Sequence, residues 1–153
     1  MESRINFPEA APGAIKALYG IGGYLAKCGL ERHLLDLVYF RVSQINGCAF
    51  CLDMHSKDLL AEGEDPQRLY VMNAWKEAPF YTDRERAALQ WAEWVTRIPN
   101  NEIPDEVYES VRTHFDEKEL VDLTIAVSSI NTWNRLNLAF RPPVGTYQVG
   151  QFN

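Results

Sequence analysis

A segment of nine residues, from Gly47 to His55, carries two thiols and an imidazole at spacings close to one helical turn. Cys48 and Cys51 are three residues apart, and His55 follows Cys51 by four. In an α-helix these spacings bring the three side chains to one face, with His55 one turn beyond Cys51 and about 10 Å along the axis from Cys48. A base beside only one of two thiols predicts an asymmetric dithiol, which is typical of a redox centre.

The same segment offers two ways to ionise a thiol. The thiolate is the nucleophilic form, and a free thiol is only a few per cent ionised at neutral pH. We expect Cys48 in the first turn of its helix, where unpaired backbone N–H groups stabilise negative charge. His55 is placed to take the Cys51 proton, and one helical turn also allows a disulfide between the two cysteines.

Two other interpretations of this segment are a zinc site and a pair of inert core cysteines. The two thiols and the imidazole supply three zinc ligands, but structural zinc sites usually draw ligands from two separated pairs. The sequence has no second pair of Cys or His residues; it has only isolated ones, Cys28, His33 and His114. We therefore rank redox chemistry first and expect no bound metal.

Asp36 is the next candidate, because it lies in the apolar run Leu34–Phe40. A carboxylate is costly to bury without a partner. It either orients His55 and relays its proton, or forms a structural ion pair with Arg32 or Arg41, and both interpretations stay open. His33, one turn earlier, is expected at the surface.

Nearly every segment of the chain predicts helix, so we expect one all-α domain over residues 1–153. Asn46-Gly47 is a break between two helices. Capping boxes begin at Thr82 and Asp116, each followed three residues later by a glutamate. The predicted helices span residues 12–27, 31–45, 47–62, 66–76, 82–97, 104–114 and 116–138.

A short sequence echo predicts an internal duplication. Val42–Asn46 recurs 85 residues later as Val127–Asn131 with one substitution. Each copy follows an apolar helical run that contains an aspartate, Asp36 in the first and Asp122 in the second. A duplicated helical hairpin would explain the echo. The second copy has other residues where the first has Cys48, Cys51 and His55, namely Trp133, Leu136 and Phe140.

Composition limits the partners and the compartment. The chain has 153 residues, a net charge of −6 and 24% charged residues, which argues against nucleic acid or an anionic membrane as the main partner. We find no apolar run of membrane-spanning length and no signal-peptide core, so we expect a cytoplasmic protein. There, disulfides are usually transient and catalytic. Cys28 is expected to be a buried core thiol. We expect the four tryptophans in core packing. Together with the apolar segments 31–45 and 119–138, they give more apolar surface than a small helical monomer easily hides, which predicts a homo-oligomer.

Four stretches of the sequence resemble the alkylhydroperoxidase D (AhpD)-like branch of the carboxymuconolactone decarboxylase family. They are Val42–His55, Thr82–Leu89, Glu119–Leu123 and Asn134–Leu136. The resemblance implies an all-α helical bundle that assembles as trimers or hexamers. Peroxidase members of the family carry a glutamate twelve residues before the first cysteine of Cys-x-x-Cys-x-x-x-His, and Asp36 occupies that position here.

The resemblance also implies roles for the site residues. Cys51 resembles the peroxidatic thiol, Cys48 the resolving thiol, His55 the base and Asp36 the distal proton relay. We therefore expect a thiol-dependent peroxidase that needs no bound cofactor and is recycled by an external dithiol on a lipoyl-bearing or thioredoxin-like protein. The alternatives are a disulfide reductase, a redox-sensing or zinc-binding assembly module, and a decarboxylase-like enzyme in which the cysteines are bystanders.

Overall fold

The computed structural model describes residues 2–152 as helices joined by short turns, and this range contains no strand. The all-α prediction is confirmed, and the seven predicted helices all form with ends within a few residues of those expected. The helix predicted over 66–76 ends early, and a 3₁₀ turn over Met72–Ala74 follows it. A short helix that was not predicted begins at Phe7. In chain order the helices are α1 (Phe7–Ala10), α2 (Pro12–Leu25), α3 (Arg32–Asn46), α4 (Ala49–Ala61), α5 (Pro66–Val71), α6 (Asp83–Arg97), α7 (Asp105–Arg112) and α8 (Glu117–Phe140).

Local capping chemistry sets several of these ends. Thr82 and Glu85 form the predicted capping box of α6, and Asp116 and Glu119 form that of α8. In each box the N-cap side chain accepts a hydrogen bond from the backbone N–H of the third helical residue. The carboxylate of that third residue accepts a hydrogen bond from the backbone N–H of the N-cap residue. The long helix α8 therefore starts at a fixed point.

A tight turn at Gly47 folds α4 back against α3. Gly47 has φ +68°, a left-handed conformation that glycine adopts without the steric penalty of a Cβ atom. The Cys48 N–H donates to the carbonyl of Ser43 at 3.0 Å, which closes the turn. As a result Cys48 is the extended N-cap residue of α4, one position before the first turn in which we expected it.

Helix α3 is the centre of the bundle and packs against α4, α6 and α8. One side of α3, with Val38 and Val42, joins the larger apolar cluster formed with α6 and α8. The other side, with Leu37 and Phe40, joins a second cluster that includes Leu59 of α4. The predicted core role of the tryptophans is confirmed: two are buried in these clusters and two pack against the larger one, the buried ones being Trp75 and Trp91 and the others Trp94 and Trp133.

A network of buried and partly buried amides fixes α3 against α8. The Asn46 side chain donates to the Oδ1 atoms of Asn131 (2.9 Å) and Asn134 (2.8 Å). Asn134 in turn donates to Ser43 Oγ at 3.1 Å. The two copies of the sequence echo therefore face each other across the helix pair and set its register.

The second copy of the echo does not form a hairpin, which corrects that part of our expectation. α8 runs unbroken from Glu117 to Phe140, through Thr132, the position that corresponds to Gly47. Thr132 stays helical and its hydroxyl donates to the Ser128 carbonyl one turn back, at 3.1 Å. Only the first copy has the glycine that permits the turn.

The residues after α8 fold back along α4. Tyr147 is buried, its hydroxyl donates to Asp58 Oδ1 at 2.7 Å, and its carbonyl accepts from Lys57 Nζ at 3.1 Å. This segment is therefore tied to α4 through Asp58 and Lys57. Across residues 2–152, no helix combines the length and apolar character that a bilayer span requires.

Candidate functional site

The two cysteines of α4 are bonded to each other in the interior of the protein. Cys48 and Cys51 form a disulfide, with Cα atoms 5.4 Å apart. Their side chains are 1% and 0% exposed. The backbone N–H of Cys51 points at Cys48 Sγ, 3.4 Å away. The pairing that the spacing allows is therefore the pairing that the structure has.

A side chain from α8 contacts the second sulfur of the pair. The Asn137 side-chain Nδ2 lies 3.2 Å from Cys51 Sγ and donates to it, and Asn137 is buried. The sequence interpretation missed this residue. Its only sequence signal is the repetition of asparagine every third residue at 131, 134 and 137.

His55 lies one turn after Cys51, and its imidazole points into the protein. The residue is 7% exposed, and its ring contacts that of Tyr39 at a centroid distance of 5.4 Å. Within residues 2–152, neither ring nitrogen has a hydrogen-bond partner, so no hydrogen bond joins the imidazole to a sulfur of the disulfide. Burial lowers the pKa of His55 to about 4. At neutral pH the imidazole beside the disulfide is therefore uncharged.

Asp36 is a buried carboxyl group with an incomplete set of partners. Its Oδ2 is 3.5 Å from Arg32 Nε, but the described chain provides it with no hydrogen bond. Burial raises the pKa of Asp36 to about 6, against the attraction of Arg32 and with the repulsion of Glu62 and Asp58. A carboxyl group with this pKa exchanges protons readily near neutral pH.

The two candidate ion-pair partners of Asp36 behave differently. Arg32 is the partner that the structure provides, and it also contacts Glu62 Oε1 at 3.1 Å. Arg41 instead forms a buried ion pair with Glu93 at 2.7 Å. The structural interpretation of Asp36 is therefore met by Arg32, whereas its role as a relay stays a prediction.

Tyr39 connects these groups along α3. It lies one turn after Asp36, with its ring against that of His55. Burial and the Asp36 carboxylate raise the pKa of Tyr39, so its hydroxyl stays protonated. The seam between α3 and α4 therefore carries Asp36, Tyr39 and His55 in succession toward the disulfide.

The remaining ionisable candidates lie outside this seam. His33 is partly exposed and its Nε2 contacts Glu64 Oε2 at 3.0 Å, as expected of a surface residue. Asp122, the aspartate of the second copy, accepts from Lys118 Nζ at 2.6 Å and from the Tyr24 hydroxyl at 2.8 Å. Cys28 is half-buried against the larger core cluster rather than fully inside it.

Metal ligation requires several donors in one place. Over the described range 2–152, no group of three or more His, Cys, Asp or Glu side chains is arranged to hold a metal ion. Cys48 and Cys51 are bonded to each other. The arrangement is therefore that of a buried disulfide with a neutral base one turn away.

Comparison with known proteins identifies the family. The family model described as the carboxymuconolactone decarboxylase family matches residues 12–94. The chain belongs to this family. The matched range runs from the start of α2 into α6 and includes the whole dithiol segment.

Within the carboxymuconolactone decarboxylase family, the similar proteins point to one branch. The chain is 42% identical over 139 residues to the uncharacterized protein YdfG of Bacillus subtilis, covering 91% of this chain and 95% of YdfG. It superimposes with a TM-score of 0.90, at 41% identity, on the crystal structure of ATU0492 from Agrobacterium tumefaciens, covering 95% of this chain and all of that one. ATU0492 is described as a protein of unknown function and putative antioxidant defence protein AhpD.

A further solved structure supports the same branch. An uncharacterized peroxidase-related protein from Silicibacter sp. TM1040 has a TM-score of 0.77 at 25% identity, covering 90% of this chain and 73% of that one. The protein is thus an AhpD-like member of the carboxymuconolactone decarboxylase family, with a bonded Cys48–Cys51 pair.

Proposed function

We propose that this protein is a thiol-dependent peroxidase, in which the reduced Cys48–Cys51 pair reduces a hydroperoxide. The observation that carries the proposal is the bonded cysteine pair of an AhpD-like chain, with an uncharged, buried imidazole one turn beyond Cys51. Peroxide reduction needs a thiolate, a base that forms it and a second thiol nearby. Cys51, His55 and Cys48 supply these three groups.

The first half of the cycle oxidises Cys51. In the reduced protein His55 takes the Cys51 proton, and the thiolate attacks the nearer oxygen of the hydroperoxide. The S–O bond forms as the O–O bond breaks, so the sulfur loses two electrons and becomes a sulfenic acid. The leaving alkoxide takes the proton from the His55 imidazolium and departs as the alcohol.

The second half returns the enzyme to the dithiol state. The Cys48 sulfur attacks the Cys51 sulfenic acid, the S–S bond forms, and hydroxide leaves with the Cys48 proton as water. An external dithiol then reduces the disulfide by two thiol–disulfide exchanges and is itself oxidised to a disulfide. In this cycle Asp36 relays the proton from His55 to the leaving alkoxide of the first half, a transfer that its pKa of about 6 favours.

Burial of the sulfurs supports a small substrate. Because Cys48 and Cys51 are 1% and 0% exposed, a folded protein disulfide cannot approach them without a large rearrangement. A hydroperoxide is small enough to enter. The same burial favours a slender lipoyl arm over the broad surface of a thioredoxin-like protein as the reductant.

Thiol counting with single variants tests this function. One equivalent of an organic hydroperoxide should consume two thiols per reduced chain, and a dithiol should restore both. Cys51→Ser should abolish turnover, and Cys48→Ser should leave Cys51 open to overoxidation or mixed disulfides. Cys28→Ser is the matched control, because Cys28 is the one cysteine outside the pair, and it should keep full activity. Normal peroxide turnover by the Cys51→Ser variant would end the proposal.

The same variants separate the alternatives. A disulfide reductase would turn over a protein disulfide faster than a hydroperoxide, with the same dependence on both cysteines. A zinc-binding or sensing module would hold stoichiometric zinc that either cysteine substitution removes. Activity on a lactone acid that survives substitution of both cysteines would indicate decarboxylase-like chemistry.

A further inference from the structure

We propose that Asn137 is a further catalytic residue of this site, whose side-chain amide stabilises the Cys51 thiolate by donating a hydrogen bond to its sulfur. The inference rests on the proposed function only in taking that thiolate as the reacting species. It concerns a residue of α8, 86 positions from Cys51 in the sequence.

The contact itself fixes the direction of the hydrogen bond. Asn137 Nδ2 is 3.2 Å from Cys51 Sγ in the disulfide. A disulfide sulfur carries no hydrogen, so the amide can only donate to it. When the disulfide is reduced and Cys51 ionises, the same N–H meets a full negative charge, and hydrogen bonds to ionised acceptors are about twice as strong as those between neutral groups.

The buried thiolate needs such a donor. Cys51 is 0% exposed, so water does not solvate its charge. Burial disfavours the ionised form of any thiol unless a partner compensates. The backbone N–H of Cys51 is directed at Cys48 Sγ, so it does not stabilise a charge on the Cys51 sulfur. Each sulfur therefore has one polar hydrogen directed at it, and that of Cys51 comes from Asn137.

Before the proton moves from Cys51 to His55, the imidazole does not take over the stabilising role of the Asn137 amide. Its pKa is lowered to about 4 by burial, so the imidazole starts uncharged and acts by accepting the proton. A base that accepts the proton and a fixed donor that stabilises the anion are complementary parts of the same ionisation. The geometry thus divides the task between α4, which carries the base, and α8, which carries the donor.

The part of α8 that carries Asn137 is held against α3 by the preceding turn of the helix. Asn134, three residues earlier, accepts from Asn46 at 2.8 Å and donates to Ser43 at 3.1 Å. Asn46 and Ser43 flank the start of the turn that leads to Cys48. The network fixes the register of α8 against the dithiol segment, so little reorganisation is needed when the charge forms.

Titration of Cys51 as the single thiol tests the inference without any peroxide. In a Cys28→Ser, Cys48→Ser background, the rate of alkylation by iodoacetamide is measured as a function of pH. Asn137→Leu removes the donor and keeps the approximate shape, and we expect the pKa of Cys51 to rise by about one unit. Below that pKa, alkylation should then be about ten-fold slower, because one pKa unit changes the thiolate fraction ten-fold.

A second variant and a control make the result decisive. Asn137→Asp keeps the size of the side chain and, when ionised, places an acceptor against the thiolate, so it should raise the Cys51 pKa more than Asn137→Leu does. This variant provides the test if the leucine does not fold. Ser128→Ala removes another polar side chain of α8, which is exposed and donates to the Thr124 carbonyl but to no sulfur, and it should leave the titration unchanged.

The possible outcomes separate this inference from the proposed function. Titrations of Cys51 that are the same with and without the Asn137 amide would overturn the inference, as would an equal shift in the Ser128→Ala variant. A chain that does not reduce hydroperoxides but whose Cys51 pKa still depends on Asn137 would overturn the proposed function alone.

Discussion

At the scale of single residues, the site buries two ionisable groups whose pKa values move in opposite directions. Burial lowers the pKa of His55 from 6.5 to about 4 and raises that of Asp36 from 3.8 to about 6. Burial therefore favours the uncharged form of both groups, so that His55 is uncharged at neutral pH and Asp36 becomes uncharged below about pH 6. Strongly shifted pKa values of this kind are found preferentially at functional sites.

These shifts predict opposite contributions to stability between pH 4 and 6.5. The folded protein disfavours charged His55, so its contribution is complete above pH 6.5 and is lost as the pH falls toward 4. The folded protein also disfavours charged Asp36, so its contribution is present below pH 3.8 and is lost as the pH rises through 6. Each term amounts to about 3 kcal/mol, and in the wild type they nearly cancel.

Single substitutions should expose the two slopes. In the oxidised protein, the free energy of unfolding of Asp36→Asn relative to wild type should rise by up to about 3 kcal/mol between pH 4 and 7. That of His55→Asn should rise by a similar amount from pH 6.5 down to pH 4. Guanidinium denaturation at intervals of one pH unit measures both.

A third aspartate supplies the control for this experiment. Burial alone would raise the pKa of Asp122, but hydrogen bonds from Lys118 and Tyr24 outweigh it and hold that pKa below its usual value. Asp122→Asn should therefore lose stability relative to wild type as the pH rises toward 3.8 and keep a nearly constant difference at higher pH, whereas the difference for Asp36→Asn rises there. Differences for Asp36→Asn and His55→Asn that do not vary between pH 4 and 7 would contradict the assigned burial effects.

At the scale of helices, the dithiol depends on the turn between α3 and α4. Gly47 has φ +68°, and a Cβ added there would meet no atom within 4 Å. Gly47→Ala therefore measures the backbone conformation alone, and we expect it to destabilise the protein by about 1–2 kcal/mol. It should also slow disulfide formation, because relaxing the turn displaces Cys48 from Cys51.

Gly20 is a matched control for that substitution. It lies inside helix α2, and a Cβ there would also meet no atom within 4 Å. Gly20→Ala should stabilise the protein by about 0.5–1 kcal/mol, since alanine favours the helix. Thermal unfolding of both variants decides the point: two changes of the same sign would mean that the Gly47 conformation does not position the cysteines.

The same elements show which features local sequence can predict. Helix starts at Thr82 and Asp116 followed from capping boxes, and the break at Gly47 followed from its dipeptide, because each depends on neighbouring residues. The pairing of Cys48 with Cys51 followed from their three-residue spacing.

The features that local sequence patterns could not predict depend on contacts between residues that are distant in the sequence. Asn137 reaches Cys51 across 86 residues, through the packing of α8 on α3 and α4. The choice of Arg32 rather than Arg41 as the partner of Asp36 depends on Glu93 of α6, which takes Arg41. The unbroken course of α8 through the second copy depends on Thr132 continuing the helix where Gly47 ends it.

At the scale of the whole molecule, one groove at the surface is lined mainly by apolar side chains. A groove of about 480 Å³ lies between α2, α6, α7 and α8. Val121 on its α8 side is 58% exposed, and Ile125, one turn on, is 37% exposed. Exposed apolar patches of this kind commonly mark contact surfaces, and we propose that further copies of the chain cover it.

Charge placed in the groove tests this self-association. Val121→Glu should leave folding intact, because the side chain is already exposed in one chain, yet it should lower the mass measured by light scattering to that of a monomer. Val149, 55% exposed in the segment after α8, is the matched control, and Val149→Glu should keep the wild-type mass. A monomeric wild type, or an unchanged mass for Val121→Glu, would contradict the assignment.

In this arrangement α8 carries the contact surface near its start, the amides that hold α3 in its middle and the Cys51 donor near its end. Dissociation should therefore be checked against the Cys51 titration, since loosening one end of a rigid helix displaces the other.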